Sequence, residues 1–151
     1  GTRVSEGART VRAEKGAPLR RTRMKTVLLV DDIPEYLDTM EINLPEGCQA
    51  VRGMSQDDAR GLVAEKAPDA AVVDVRLKEG AAANRDGLEL LRWIRANYPE
   101  TKVIVISAYR EFEFEAEALA LGAEYFLRKP IQPEEFRAAV AKVLTGAGGR
   151  E

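Results

Sequence analysis

Val27-Leu28-Leu29-Val30-Asp31-Asp32 decides how the rest of this chain is read. Four apolar residues run straight into two carboxylates. The pattern returns at Ala70-Ala71-Val72-Val73-Asp74-Val75, where one aspartate interrupts the run, and at Tyr125-Phe126-Leu127-Arg128-Lys129-Pro130, where a lysine closes it. Charged groups at the ends of buried strands are costly unless paired, hydrated or bound to metal. Three carboxylates and one ammonium therefore ask for a divalent cation and an anionic ligand, the donor set of a phosphoryl site.

Apolar strand-like runs fall at 26–31, 48–52, 70–75, 102–107 and 124–128, with helical spacing between them. Pro34 suits the first position of a helix, where its missing N–H is not needed. Ile33, Leu37, Met40 and Leu44 then share an apolar face. Ser55, with Asp58 three residues on, resembles a capping arrangement for a helix to about Lys66. Asp86 is expected to cap a third helix ending before Pro99, and Phe112, Ala116 and Leu119 to mark a fourth. Phe136, Ala139, Val140, Val143 and Leu144 mark a fifth, entered through Pro133.

Five alternations of strand and helix predict an α/β fold with a parallel sheet, right-handed crossovers and helices on both faces. Most of the strand runs are continuously apolar, as a sheet covered on both sides requires. In such sheets ligands bind beyond the carboxyl ends of the strands. Asp31, Asp32, Asp74, Ser107 and Lys129 all fall at or near such ends, so groups scattered over the sequence converge on one mouth. Taken singly, each reads as a turn, a cap or a solvated charge; together they make a site.

The bulk composition is that of one ordinary globular domain: 151 residues, 45% hydrophobic and 32% charged. No apolar run approaches the roughly 20 residues that span a bilayer, so no membrane attachment is expected. One cysteine, Cys48, excludes an internal disulfide and fits a reducing cytoplasm. The chain has no histidine, which removes Ser-His-Asp and Cys-His catalysis and His-ligated zinc. Residues 1–23 carry seven basic side chains against Glu6 and Glu14, while the remainder carries 16 basic and 23 acidic groups. This segment reads as a disordered basic arm, a linker or an expression remnant. The folded domain is expected over 24–145, with a flexible tail at 146–151.

Neighbouring carboxylates repel, and a third makes full ionisation expensive. Magnesium, or manganese in its place, relieves this by taking carboxylate, water and phosphate oxygens. An aspartate can also attack phosphorus to form an aspartyl phosphate. Asp74, in the most central and apolar run, is the best candidate nucleophile. Lys129 can supply the cation and Ser107 a hydroxyl donor, and the small Ala108 leaves room for the incoming group.

These motifs resemble the receiver domain of bacterial two-component response regulators. Leu29-Val30-Asp31-Asp32 is similar to the family's acidic pair, and Val72-Val73-Asp74 to its phosphoacceptor strand. Asp86-Gly87-Leu88-Glu89-Leu90-Leu91 resembles the opening of its third helix. Ile106-Ser107-Ala108-Tyr109 resembles the switch segment, and Gly122 to Pro130 the final strand, at the family's usual spacing. The resemblance implies a flavodoxin-like (βα)5 sandwich with strand order 2-1-3-4-5. It implies that a sensor histidine kinase or phosphotransfer protein phosphorylates Asp74. Magnesium would be held by Asp32, Asp74 and the backbone carbonyl of Arg76, with Asp31 assisting. Ser107 and Phe126 would form the switch.

Arg76 and Tyr109, each two residues past a key position, would tune attack by water on the acyl phosphate. Residues 78–85 are a longer link than usual, read as a tolerated insertion or a lid. Phe126 stands where tyrosine is common. Output would pass through the fourth helix, fifth strand and fifth helix to a downstream protein or an absent output domain, without direct nucleic-acid binding; homodimerisation through that face is left open.

Two rivals are weaker. A phosphatase with an aspartyl-phosphate intermediate commonly has a second aspartate two residues beyond the nucleophile, where Arg76 stands after Asp74. A nucleotide or flavin module lacks its glycine-rich loop where Asp31-Asp32-Ile33-Pro34 stands. The expectation is a signalling switch with weak self-phosphatase activity at most.

Overall fold

The computed structural model describes residues 23–77, 85–108 and 113–145. Within them the chain alternates β1 (Lys25–Val30), α1 (Pro34–Ile42), β2 (Cys48–Gly53), α2 (Gln56–Lys66), β3 (Ala70–Asp74), α3 (Asp86–Asn97), β4 (Lys102–Ala108), α4 (Glu113–Ala120), β5 (Tyr125–Lys129) and α5 (Pro133–Thr145). All strand pairs are parallel, in the order β2-β1-β3-β4-β5. This is the flavodoxin-like (βα)5 sandwich.

Alternate residues of each strand feed opposite cores, following the two-residue period of a strand. Leu28, Val30, Ala71, Val73, Val103 and Val105 pack beneath α2, α3 and α4. Val27, Leu29, Ala70, Val72, Ile104 and Ile106 pack beneath α1 and α5. Every residue of central β3 is buried, whereas edge strand β2 is mostly half-exposed. The continuously apolar runs are thus the interior strands.

Local chemistry sets the helix starts. Pro34 occupies the first turn of α1. The Ser55 hydroxyl accepts from the Asp58 N–H at 3.1 Å, and Met54 N–H donates back to the Asp58 carboxylate at 3.2 Å. Two details correct the sequence reading. Asp86 is the first residue of α3 rather than its cap; Arg85 precedes it and makes no side-chain capping bond. In α4 the buried face is Phe114 and Ala118, while Ala116 and Leu119 face outward. That helix is short and rich in alanine and glutamate, so its apolar periodicity fits more than one face. Phe112, residues 1–22, 78–84 and 146–151 lie outside the described residues. Among the described residues, no helix is long and apolar enough to cross a membrane.

Candidate functional site

Parallel register brings the strand ends level. Asp74 pairs with Ile106, Ser107 with Arg128, and Ala108 with Lys129. Asp31 lies one residue past β1, its N–H donating to the Gly53 carbonyl at 3.1 Å. The turn into α1 is tied by the Asp31 carboxylate, whose Oδ1 accepts from Ile33 N–H at 3.0 Å. This turn aims Asp31 inward and leaves Asp32 half-buried beside it.

Asp31, Asp32 and Asp74 each bring a carboxylate oxygen to within 4.8 Å of the others. Lys129 reaches across from the sheet edge, its Nζ 3.1 Å from Asp31 Oδ2 and 3.2 Å from Asp74 Oδ1. Asp31 and Ser107 are fully buried and Asp74 nearly so, while Ala108 is exposed at the rim.

Burial of like charges dominates the electrostatics. Asp74 is pushed up from an ordinary 3.8 to about 8, first by burial and then by the charge of Asp31, with Lys129 opposing. Burial also raises Asp31, against the pull of Lys129 and the Ile33 hydrogen bond. For Lys129, burial alone would lower the value, but Asp74 and Asp31 outweigh it and the ammonium is held more firmly charged than usual. One ammonium does not neutralise three carboxylates. An all-oxygen donor set of this kind fits a hard divalent cation such as magnesium.

The remaining predicted residues fall around this centre. Arg76 is half-buried just beyond β3. Phe126 is partly buried against the core beneath α2, α3 and α4, with the Arg128 guanidinium 5.2 Å from its ring centre. Arg128 is in turn paired with Glu115 of α4. Tyr109 and nearly all of the 78–85 link lie outside the described residues.

Four residues that shape the site were not legible as such. Gly87 packs on the Asp74 backbone, where an added Cβ would lie 1.9 Å from the carbonyl oxygen. Tyr36 sets its ring 3.8 Å from Lys129 Nζ. Arg128 lies over Phe126 and is itself paired with Glu115. The Asp86-Gly87 pair was the one available signal; the Tyr36–Lys129 and Glu115–Arg128 contacts join different elements.

The family model for the response regulator receiver domain matches residues 27–141, most of the chain. The chain belongs to that family. The receiver domain is 34% identical over 118 residues to the response regulator protein PilR of Pseudomonas aeruginosa, covering 78% of this chain and 25% of PilR. It is 32% identical over 129 residues to the transcriptional regulatory protein KdpE of Mycobacterium tuberculosis, covering 82% of this chain and 54% of KdpE. The chain thus spans a quarter to about half the length of these relatives. Among solved structures, the receiver domain of NtrX from Brucella abortus matches with a TM-score of 0.71 at 28% identity, covering 79% of this chain and 98% of that one.

Proposed function

We propose that this receiver domain is a phosphoacceptor switch in which Asp74 takes a phosphoryl group from a histidine kinase or phosphotransfer protein. The observation that carries the reading is the Asp31–Lys129–Asp74 bridge at the mouth of the sheet, with Asp32 beside it and Ser107 near the end of neighbouring β4. An Asp74 carboxylate oxygen attacks phosphorus, the P–N bond to the donor imidazole breaks, and that nitrogen leaves with the bond's electron pair. Phosphoryl transfer needs mainly positioning and charge neutralisation. Asp31, Asp32, Asp74 and the Arg76 carbonyl would hold magnesium, which supplies charge neutralisation for the phosphoryl oxygens. Lys129 supplies a second cation and Ser107 a hydroxyl donor.

The charge on the phosphoryl group then biases a two-state element comprising Ser107 and Phe126, which alters the α4-β5-α5 face seen by a protein target or output domain. The reading places the protein in the cytoplasm, and its chemistry is one acceptance event rather than turnover. Bulky Arg76 and Tyr109 slow hydrolysis, in which water attacks phosphorus, releases inorganic phosphate and restores the carboxylate.

The test is incubation with acetyl phosphate and magnesium, read by intact mass. Wild type should gain one phosphoryl group and Asp74→Asn none. Equal gain by both, or none by wild type, sinks the assignment. A phosphoprotein half-life of only seconds would count against the proposed tuning by Arg76 and Tyr109.

A further inference from the structure

We propose that Tyr36 is a positioning residue for the Lys129 ammonium, holding it at the mouth of the site as its partners change during phosphorylation. An ammonium has three N–H donors. Asp31 and Asp74 take two directions, at 3.1 and 3.2 Å, and the Tyr36 ring covers another, its centre 3.8 Å from Nζ. The Lys129 side chain is only 11% exposed, so its charge is largely withdrawn from water, and the ring lies against it. A cation on an aromatic face gains most when it is desolvated in this way.

The ring also has a fixed mounting. Tyr36 is the third residue of α1, two after Pro34, and the turn before that helix is tied by Asp31. Lysine, by contrast, is a point charge on a flexible four-carbon stem. When Asp74 becomes an acyl phosphate, its carboxylate charge is lost and the ammonium must turn toward a phosphoryl oxygen. The contact with Asp74 is thereby exchanged, whereas the uncharged ring is the same before and after. Tyr36 thus limits the arc that Nζ can sweep and keeps it within reach of the incoming group.

This inference rests on the phosphoacceptor reading, and its test separates the two. The full chain is phosphorylated with acetyl phosphate and magnesium; an Asp74 oxygen bonds to phosphorus and acetate leaves. The rate of phosphoryl gain is followed by mass for wild type, Tyr36→Phe, Tyr36→Leu and Tyr36→Met. Phenylalanine keeps the ring face and should stay within about twofold of wild type, while the ringless variants should be slower by roughly fivefold or more. Wild-type rates in Tyr36→Leu and Tyr36→Met overturn the proposal. So does an equal loss in Tyr36→Phe, which would assign the effect to the hydroxyl.

Independently, NMR of the metal-free chain should show ring-current-shifted Lys129 methylene signals that persist in Tyr36→Phe and vanish in Tyr36→Leu. If wild type accepts no phosphate, the phosphoacceptor reading fails. The Lys129 shifts then decide the contact alone, and shifts unchanged in Tyr36→Leu refute it.

Discussion

Gly87 lies against the backbone of Asp74, so close that a methyl group on its α-carbon would stand 1.9 Å from the Asp74 carbonyl oxygen. Its N–H donates to the neighbouring Val75 carbonyl at 2.8 Å. The first turn of α3 is thereby seated on the end of β3. The absence of a side chain, rather than an unusual backbone angle, is what permits the contact.

Replacing Gly87 by alanine should therefore reverse the usual helix preference. In an open helical position such as Gly61, where nothing lies within 4 Å of an added Cβ, alanine is expected to stabilise by about 0.5–1 kcal/mol. At Gly87 the same change must move backbone and should destabilise by roughly 1–3 kcal/mol. Urea denaturation of the two variants side by side checks the opposite signs; Gly87→Ala should also slow phosphoryl gain at Asp74.

The raised Asp74 carboxyl makes stability pH-dependent in a definite direction. Its folded value of about 8 stands above the ordinary 3.8, so the native chain binds more protons than the unfolded one between those values. That contribution is fully present below the unfolded value and is lost as pH rises through the folded one. Asp31 is raised too and adds the same sign, whereas Lys129 stays charged throughout. Metal-free wild type should accordingly lose stability as pH climbs toward about 8. Asp74→Asn should be more stable than wild type there by on the order of 1–3 kcal/mol, the gap closing toward about pH 5. Thermal melts across pH test this; parallel curves for the two proteins would contradict it.

Magnesium should offset the same repulsion. A ligand that binds only the folded chain stabilises it by about 2.7 kcal/mol at a hundred times its dissociation constant. Wild type should melt higher with magnesium, and Asp32→Asn, with one negative charge fewer in the carboxylate cluster, should respond less at equal concentration. An unchanged magnesium response in Asp32→Asn would remove that residue from the proposed ligand set.

The Arg128–Glu115 pair should contribute little to stability. Its side chains are 30% and 43% exposed, and pairs this wet contribute roughly 0–1 kcal/mol. A double-mutant cycle with Arg128→Met and Glu115→Gln should give a coupling in that range that shrinks with added salt. A larger coupling that ignores salt would show that the pair is desolvated.

Sequence alone determined the architecture because its signals are local and periodic. Unbroken apolar runs such as Val27–Val30 and Ala70–Val73 have to be interior parallel strands, and helices between them have to cross over both faces. Parallel strands carry their last residues to a common edge, so the sequence alone gathers Asp31, Asp32, Asp74, Ser107 and Lys129 at one mouth. Asp86 and the face of α4 depart from the sequence expectation because their cues are short: a carboxylate before a helix fits the cap or the first turn, and an alanine-rich segment has several weak stripes.

Tertiary structure alone decided what touches what across elements. That Lys129 bridges Asp31 and Asp74 rather than pointing into solvent, that Tyr36 lies over it, that Arg128 pairs with Glu115 and that Gly87 meets Asp74 all depend on how α1, α3, α4 and β5 dock. Strand periodicity fixes the direction of a side chain, but the reach of a lysine or the seating of a helix is set by packing between residues distant in sequence. The raised Asp74 carboxyl belongs to the same class, since burial and neighbouring charge exist only once the chain has closed around it.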